Sequence, residues 1–504
     1  MAELGERPFP PGDYPVVVVG SGPGGLQASY DLRRLGIDHA LISADPAPGG
    51  MFRRFPFFQR LLSWTKPYAP APRGSRAYEW YDWNSLLAEE PEGRAIMPEL
   101  MDGSSSFPSR AEMEQNLALF VDRTGLPIRF DCTWQATRHD GDRFVLSTSD
   151  GDYRCRAAVF AVGVAQPWKP DTPGFEHVAH YVDTRDAASY AGKRLFIVGK
   201  ENSGFELATG LLQWARRIVL ASPRPPKLSV NTHSLLGVRA RYIQPFEDEV
   251  LGGGVFILNA SIARVERTAE GFRVHCIRSE DGGELAVDAD EVIAATGFTA
   301  PLRDLPGLGV SVFGRSELPS MTNYWESATV PGIYFAGTIG QGSSGMKKYG
   351  LPANSGAVHG ARYNARIMVR HLAETHFGVA PEMPPIAPDQ LIGYLLDEAT
   401  DAPELWNQKS YLARAVSLDP AHGLRDAGIV PLADFVDHEG SAAVAIAVET
   451  DDTGDIHPAV YVRQPGRPAV ETLLDSNPLH DFRTVQNRAR LAELLRELTS
   501  GTAR

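Results

Sequence analysis

The feature that most constrains this chain is a run of four valines that ends in a glycine-rich turn. Val16 to Val19 lead directly into Gly20-Ser21-Gly22-Pro23-Gly24-Gly25. The valine run is what a parallel strand buried on both faces requires, and the turn has the spacing G-x-G-x-x-G. A helix-like stretch from Leu26 to Leu35 follows, stopped by Gly36, and His39 to Ser43 reads as the next strand. Strand, turn, helix and strand make one βαβ unit. In such a unit the glycines make a tight turn, let backbone approach a pyrophosphate, and bring helix against strand. The helix start offers free N–H groups and a partial positive charge to phosphates. A dinucleotide site is therefore expected, with a merely structural turn as the alternative. The acid that would hold ribose hydroxyls at the end of the second strand is replaced by Ser43, and Asp45, twenty residues beyond Gly25, is the other candidate.

The pattern then restarts. Arg194 to Gly199 reads as a strand, Ser203 to Gln213 as a helix, and Arg217 to Ser222 as a second strand. The intervening turn, Gly199-Lys200-Glu201-Asn202-Ser203-Gly204, repeats the spacing but carries Glu201 in place of the middle glycine. A carboxylate beside a pyrophosphate is repulsive unless it turns away or pairs with Lys200. Ser222 and Arg224 at the strand end supply a hydroxyl and a guanidinium suited to a 2′-phosphate. NADPH is thus favoured over NADH, and a degenerate unit that binds nothing is the competing reading.

At 504 residues the chain should form about three domains at roughly 150 residues each. Residues 46–109 are rich in Pro, Gly, aromatics and Arg without clear periodicity, a length of irregular chain that is often functional. Gly49, Gly50 and Met51, at its start, join the expected cofactor-binding set. A helix is expected over Ser109–Asp122, meander strands over Ile128–His139 and Arg143–Ser149, and a buried strand over Ala157–Val162. Further on, Glu291–Gly297 and Gly332–Gly337 read as strands and Ser355–Glu374 as a long amphipathic helix. A Pro-rich signal near Pro381 opens a smaller α+β region with a strand pair (Ala442–Glu449, Ala459–Arg463) and a terminal helix, Phe482–Leu498.

The net charge of −13 lacks the basic footprint that nucleic acid requires. No apolar run approaches the ~20 residues of a membrane span, and the first fifteen residues have no signal-peptide core. A cytoplasmic location is expected. Cys132, Cys155 and Cys276 are far apart with no C-x-x-C. That spacing excludes a local dithiol centre and a local zinc pattern, so no metal is expected.

Taken in order, the motifs resemble the two-dinucleotide-binding-domain flavoproteins. They are the first glycine motif, Ala161-Val162-Gly163, the second glycine motif, Ala295-Thr296-Gly297, and Gly332-Ile333-Tyr334-Phe335-Ala336-Gly337. The resemblance covers residues 15 to about 376. It implies an α/β fold of two Rossmann-like domains, with an NADPH domain (166–297) inserted in a discontinuous FAD domain (1–165 and 298–378) and an accessory region at 379–504. It also implies FAD at the first motif, backbone crossovers at Gly163 and Gly297, and contact with the flavin's ribityl chain at Gly337 and Thr338, where Thr338 replaces the family's acid. Asp82-Trp83-Asn84-Ser85-Leu86-Leu87 and Val358-His359-Gly360-Ala361-Arg362-Tyr363 further resemble class B-type monooxygenases and FAD-dependent oxidoreductase domain-containing proteins. The Baeyer–Villiger pattern is not met, because Glu176 stands where a glycine should precede His180.

In the resembling monooxygenases reduced flavin meets molecular oxygen beside a protein amide. Asn84 is the candidate amide here, and an N-cap for a helix over the following residues is its alternative. Lys347 and Lys348 are candidates for stabilising negative charge on reduced flavin or for binding an acidic substrate; a solvated turn is the other reading. His359 faces either core or flavin. The expected function is an NADPH-dependent monooxygenase of a small polar substrate, with N-oxygenation of an amine or amino acid favoured. A reductase without oxygen insertion and a non-catalytic flavoprotein with a partner-binding C-terminal region are the alternatives. A homo-oligomer is compatible with the sequence.

Overall fold

The computed structural model describes residues 7–228, 238, 240–243, 246, 254–343, 356–419, 422–437, 440–451 and 454–501. Three sheets organise them. The first is built on the valine strand, Asp13–Val19, which pairs in parallel with His39–Ile42 on one side and with Gly151–Phe160 on the other. Ile333–Phe335 adds a further parallel strand to Gly151–Phe160, and the antiparallel strands Arg143–Thr148 and Trp134–Asp140 extend the sheet. Val16, Val17 and Val18 are fully buried, as a central parallel strand covered on both faces demands. The helix Pro23–Arg34 covers one face, with Pro23 at its first turn where the missing N–H costs nothing. The helix Arg110–Thr124 begins at a capping box in which Ser109 and Glu112 satisfy each other's backbone N–H groups, and it ends at Gly125 in the left-handed conformation.

The second sheet repeats the plan. Val255–Thr268, Arg217–Ser222, Arg194–Val198, Glu291–Ala294 and the short Ala179–His180 run parallel, with Gly271–Arg278 and Glu284–Ala289 added antiparallel. This sheet has its own two apolar clusters, one on each face.

The C-terminal region differs from expectation. It holds a six-stranded sheet in which Leu412–Asp419 and Gly423–Pro431, absent from the sequence reading, join the expected pair Ala443–Thr450 and Ile456–Arg463. It is not packed as a separate body. One continuous apolar cluster runs from the first sheet through Met368 and Leu372 to Leu395, Ile446 and Phe482. Arg76 reaches across with two bonds to Glu398, at 2.6 and 2.8 Å, and two to Glu404, at 3.2 and 2.8 Å. Burial pushes the Glu398 carboxyl up, but Arg76 and Arg414 outweigh it and hold the group below the usual carboxylate range.

Residues 46–109 form no long element. They contain three turns of 3-10 helix and one short helix, Met97–Leu100. The segment also reaches the second sheet's helix and the C-terminal region. Phe57 and Phe58 donate backbone N–H groups to Glu206 of the second-motif helix. Trp80 packs on Trp406 at 5.0 Å and donates to the carbonyl of Asp401.

Candidate functional site

Both glycine motifs fold as the same device. Gly20 (φ +108°) and Gly199 (φ +123°) occupy a backbone region that side chains rarely adopt. A Cβ on Gly20 would stand 2.5 Å from the carbonyl oxygen of Ala161, and one on Gly199 would stand 2.3 Å from that of Ala295. The two crossover segments are therefore the strands that the motif turns rest on, bound through Ala161 N–H to Val19 and Ala295 N–H to Val198. Gly25 and Gly204 sit under the turns, where a Cβ would fall 1.9 Å and 2.4 Å from the carbonyl oxygens of Gly20 and Gly199. The helices that follow, Pro23–Arg34 and Asn202–Leu211, both start without a side-chain cap. Their N–H groups are left to a ligand, which is the anion-binding arrangement of a helix N-terminus.

A single groove of about 2070 Å³ passes both helix starts. Pockets for one drug-sized ligand run to about 1,000 Å³, so this one has room for two extended molecules. Gly20, Gly22, Gly24, Ser43, Asp45, Gly50, Met51, Gly163, Gly337 and Thr338 line its first part, and Asn202 and Ser203 line its second. The glycines fit a close-bound FAD. A Cβ at Gly22 would meet only Gly50 Cα at 3.9 Å, so that backbone is open to the groove. Gly24 lies against the chain at Gly337, whose amide nitrogen would be 2.3 Å from a Cβ. At the second start the Asn202 side-chain oxygen is buried without a hydrogen-bond partner among the described residues, an orphaned acceptor that suits a bound donor.

Other expected residues land elsewhere. Gly25, Gly49, Gly199, Gly204 and Gly297 shape the turns without lining the groove. Ser43 is buried, and its hydroxyl bonds Ser21 at 2.8 Å while accepting from Asp45 N–H at 3.2 Å. Its structural bonds thus compete with a ribose, and Asp45, partly exposed on the groove, lies 3.8 Å from Arg53. Ser222 and Arg224 end their strand outside the groove lining, and Arg224 is exposed with no ion pair among the described residues. Lys347 and Lys348 lie outside the described residues.

One expectation needs correction. Asn84 does not present an amide to the groove. It is fully buried, accepts from the Ser63 hydroxyl, and donates to Thr65 Oγ1 at 2.9 Å. Nor does it cap a helix, because residues 85–90 form none; Asp82 receives the local N–H groups of Asn84 and Ser85 instead. Of the two ways in which Glu201 could spare a phosphate, turning away or pairing with Lys200, the structure shows the first. The Lys200 ammonium is buried and donates to the Leu258 carbonyl at 2.8 Å and to Asn259. Glu201 extends outward, and desolvation by the loop pushes its carboxyl up against the pull of Lys227 and Arg315.

Four groove residues, Glu206, Gln408, Lys409 and Tyr411, escaped the sequence reading. Glu206 is buried, accepts from Phe57 N–H, Phe58 N–H and the Tyr181 hydroxyl at 2.6, 3.0 and 2.6 Å, and burial raises its carboxyl. An acid inside the apolar run Gly204-Phe205-Glu206-Leu207-Ala208 is the signal that could have found it. Gln408 and Lys409 come from the C-terminal region and line the groove together with Tyr411. Gln408 donates to Asn364 and to Gly360 O, tying this wall to the helix Val358–Phe377. His359 of that helix, buried, stacks on Trp83 at 4.3 Å, and both rings line the groove. The cysteines are all buried and away from the groove, and burial pushes Cys155 up to about 12 and Cys276 up to about 11. No cluster of three metal-ligating side chains and no helix long and apolar enough to cross a membrane occurs among the described residues.

Comparison with known proteins agrees with this architecture. The mouse FAD-dependent oxidoreductase domain-containing protein 2 is 26% identical over 442 residues, which is 80% of this chain. The chain spans only 64% of that relative's length. Among solved structures, a bacillithiol disulfide reductase from Staphylococcus aureus matches with a TM-score of 0.56 at 16% identity, over 72% of this chain and 98% of its own. A flavin-containing monooxygenase from Stenotrophomonas maltophilia matches with a TM-score of 0.53 at 23% identity, over 72% and 98%. These two likenesses are of fold. The family model for pyridine nucleotide-disulphide oxidoreductases covers residues 17–337, from the valine strand to the last flavin-side glycine. The chain belongs to the pyridine nucleotide-disulphide oxidoreductase family, flavin-dependent oxidoreductases that use FAD with NAD(P)H.

Proposed function

We propose that this protein is an NADPH-dependent FAD monooxygenase acting on a small polar molecule, with an amine or amino acid nitrogen as the favoured site of oxygenation. The observation that carries this reading is the single groove joining both uncapped helix starts and walled at one end by Gln408, Lys409 and Tyr411. Such a groove can hold a flavin, a nicotinamide nucleotide and a small substrate in one continuous space. The buried, dispersed cysteines offer no resident dithiol to relay electrons. When bound, FAD supplies the redox chemistry. The chain's own part is to hold phosphates at Gly22 and at the start of the second helix, to present Arg224 to a 2′-phosphate, and to exclude water with Trp83 and His359. Lys347 and Lys348 are proposed to bind an acidic group, and their replacement by Ala should weaken substrate binding; unchanged kinetics would remove that role.

Transfer of electrons to an organic acceptor without oxygen insertion is the second reading. It is favoured by the fold likeness to a disulfide reductase, though a thiol acceptor would have to bring its own sulfurs. The test is anaerobic mixing with NADPH and separately with NADH, followed by oxygen and a panel of amines. Fast flavin bleaching by NADPH with oxygenated product supports the monooxygenase. Bleaching with oxygen reduced only to peroxide across the whole panel supports the reductase. If neither nucleotide bleaches the flavin, the second motif is degenerate and both readings fall.

A further inference from the structure

Lys409 is the sole lysine after residue 348, in a region whose other structural cations are arginines. It follows the short helix Pro403–Asn407 and forms part of the groove wall. Its ammonium donates to the carbonyl of Trp406 at 3.1 Å and lies 5.6 Å from the Trp406 ring centroid. No carboxylate pairs with it among the described residues, and burial pulls its pKa down with no opposing charge. By contrast, nearby Arg414 is held by Glu398 and Asp426, and Arg76 by Glu398 and Glu404. A partly buried ammonium held by one carbonyl and one ring face, with no carboxylate beside it among the described residues, keeps donor capacity for an anion. The neighbouring wall is fixed: Gln408 is tied to Gly360 and Asn364, and the Tyr411 hydroxyl to Ser343 and the Asn323 carbonyl. The lysine is therefore presented on a rigid support, as a recognition group needs.

We propose that Lys409 is a specificity-determining residue that binds the carboxylate of a small anionic substrate at the C-terminal end of the groove. The inference deepens the reading above, since it takes that end of the groove as the substrate's. It assigns to the C-terminal sheet the task of choosing substrates that carry a carboxylate over their neutral amides.

The test uses the holoprotein without nicotinamide nucleotide, titrated with benzoate and with benzamide while the flavin absorbance is followed, and by calorimetry in parallel. Benzoate should bind and benzamide should not. Lys409→Met, close to lysine in length, should weaken benzoate by about ten- to a hundredfold, the usual effect of losing a hydrogen bond to a charged partner. Lys409→Arg should restore most of the affinity. Flavin content and thermal midpoint check that each variant is folded, and Lys409→Gln is the substitute if the Met variant is not. Equal binding of benzoate and benzamide, no benzoate binding by either method, or unchanged benzoate affinity in Lys409→Met overturns the assignment. A resting flavin spectrum altered by the substitution with benzoate affinity kept also overturns it, and moves Lys409 to the cofactor. Because no reducing nucleotide is present and no turnover occurs, failure here is separate from failure of the monooxygenase reading, which the amine panel decides.

Discussion

The two glycine motifs share their scaffold and differ in the face they offer a ligand. Gly20 and Gly199 make the same turn against the carbonyls of Ala161 and Ala295, and Gly25 and Gly204 close on the same turn carbonyl. The third position of the turn is Gly22 in one unit and Glu201 in the other, and the fifth is Gly24 in one and Ser203 in the other. Gly24 has no room for a side chain because the backbone at Gly337 passes over it, whereas Ser203 lies on the groove. Glycines that hold strand, turn and helix together are thus common to both units. Glycines that admit a second chain or a phosphate are confined to the first. At its turn the first unit offers bare backbone to the groove, and the second offers side chains.

The largest expected effect tests the close approach. Gly24→Ala should cost about 2–3 kcal/mol through overpacking and leave purified protein depleted of flavin, measured by flavin-to-protein absorbance and thermal melting. Wild-type flavin content in that variant would break the contrast with Ser203. Next, Arg224→Ala should lower the preference for NADPH over NADH by about tenfold, the loss of one charge-assisted bond, read as the ratio of flavin reduction rates. A ratio that does not move takes the 2′-phosphate away from this strand end. Glu201→Gly should tighten NADPH by roughly three- to fivefold, since an exposed carboxylate near a phosphate is partly screened; weaker binding would mean that Glu201 makes a favourable contact instead. The smallest effect is Ser203→Ala, which should shift stability by less than ~0.5 kcal/mol.

Much of this was legible in the sequence because it is local. The valine run, the two turns and the order of five short motifs each depend on residues adjacent in the chain, and they gave the two parallel sheets and the position of the first site. What was not legible depends on residues far apart. Nothing near Gly24 announces Gly337, and nothing near Asn84 shows that Ser63 and Thr65 occupy its amide. Lys200 reads as a natural partner for its neighbour until Val255–Thr268 brings Asn259 to it. The strands Leu412–Asp419 and Gly423–Pro431 contain Arg, Asp and Gly that blur the alternation a strand should show. Their contribution to the groove, through the residues just before them, needed the whole sheet to be seen.

The aromatic segment beginning at Phe55 bears on how such a protein can be divided. Phe58 lies so close to Gly210 of the second-motif helix that a Cβ there would be 2.3 Å from its side chain, and Glu206 accepts from the amides of Phe57 and Phe58. A strap from the flavin-side unit is in this way riveted to the nucleotide-side unit, and its Phe55 ring also meets Phe298 beside the crossing at Gly297. Excising residues 166–297 as a portable module would strip Phe57 and Phe58 of the carboxylate that binds their amides and leave the buried Glu206 with Tyr181 alone of its three donors. Transplanting that unit between relatives therefore requires moving the strap with it, even though more than a hundred residues separate the two in the chain.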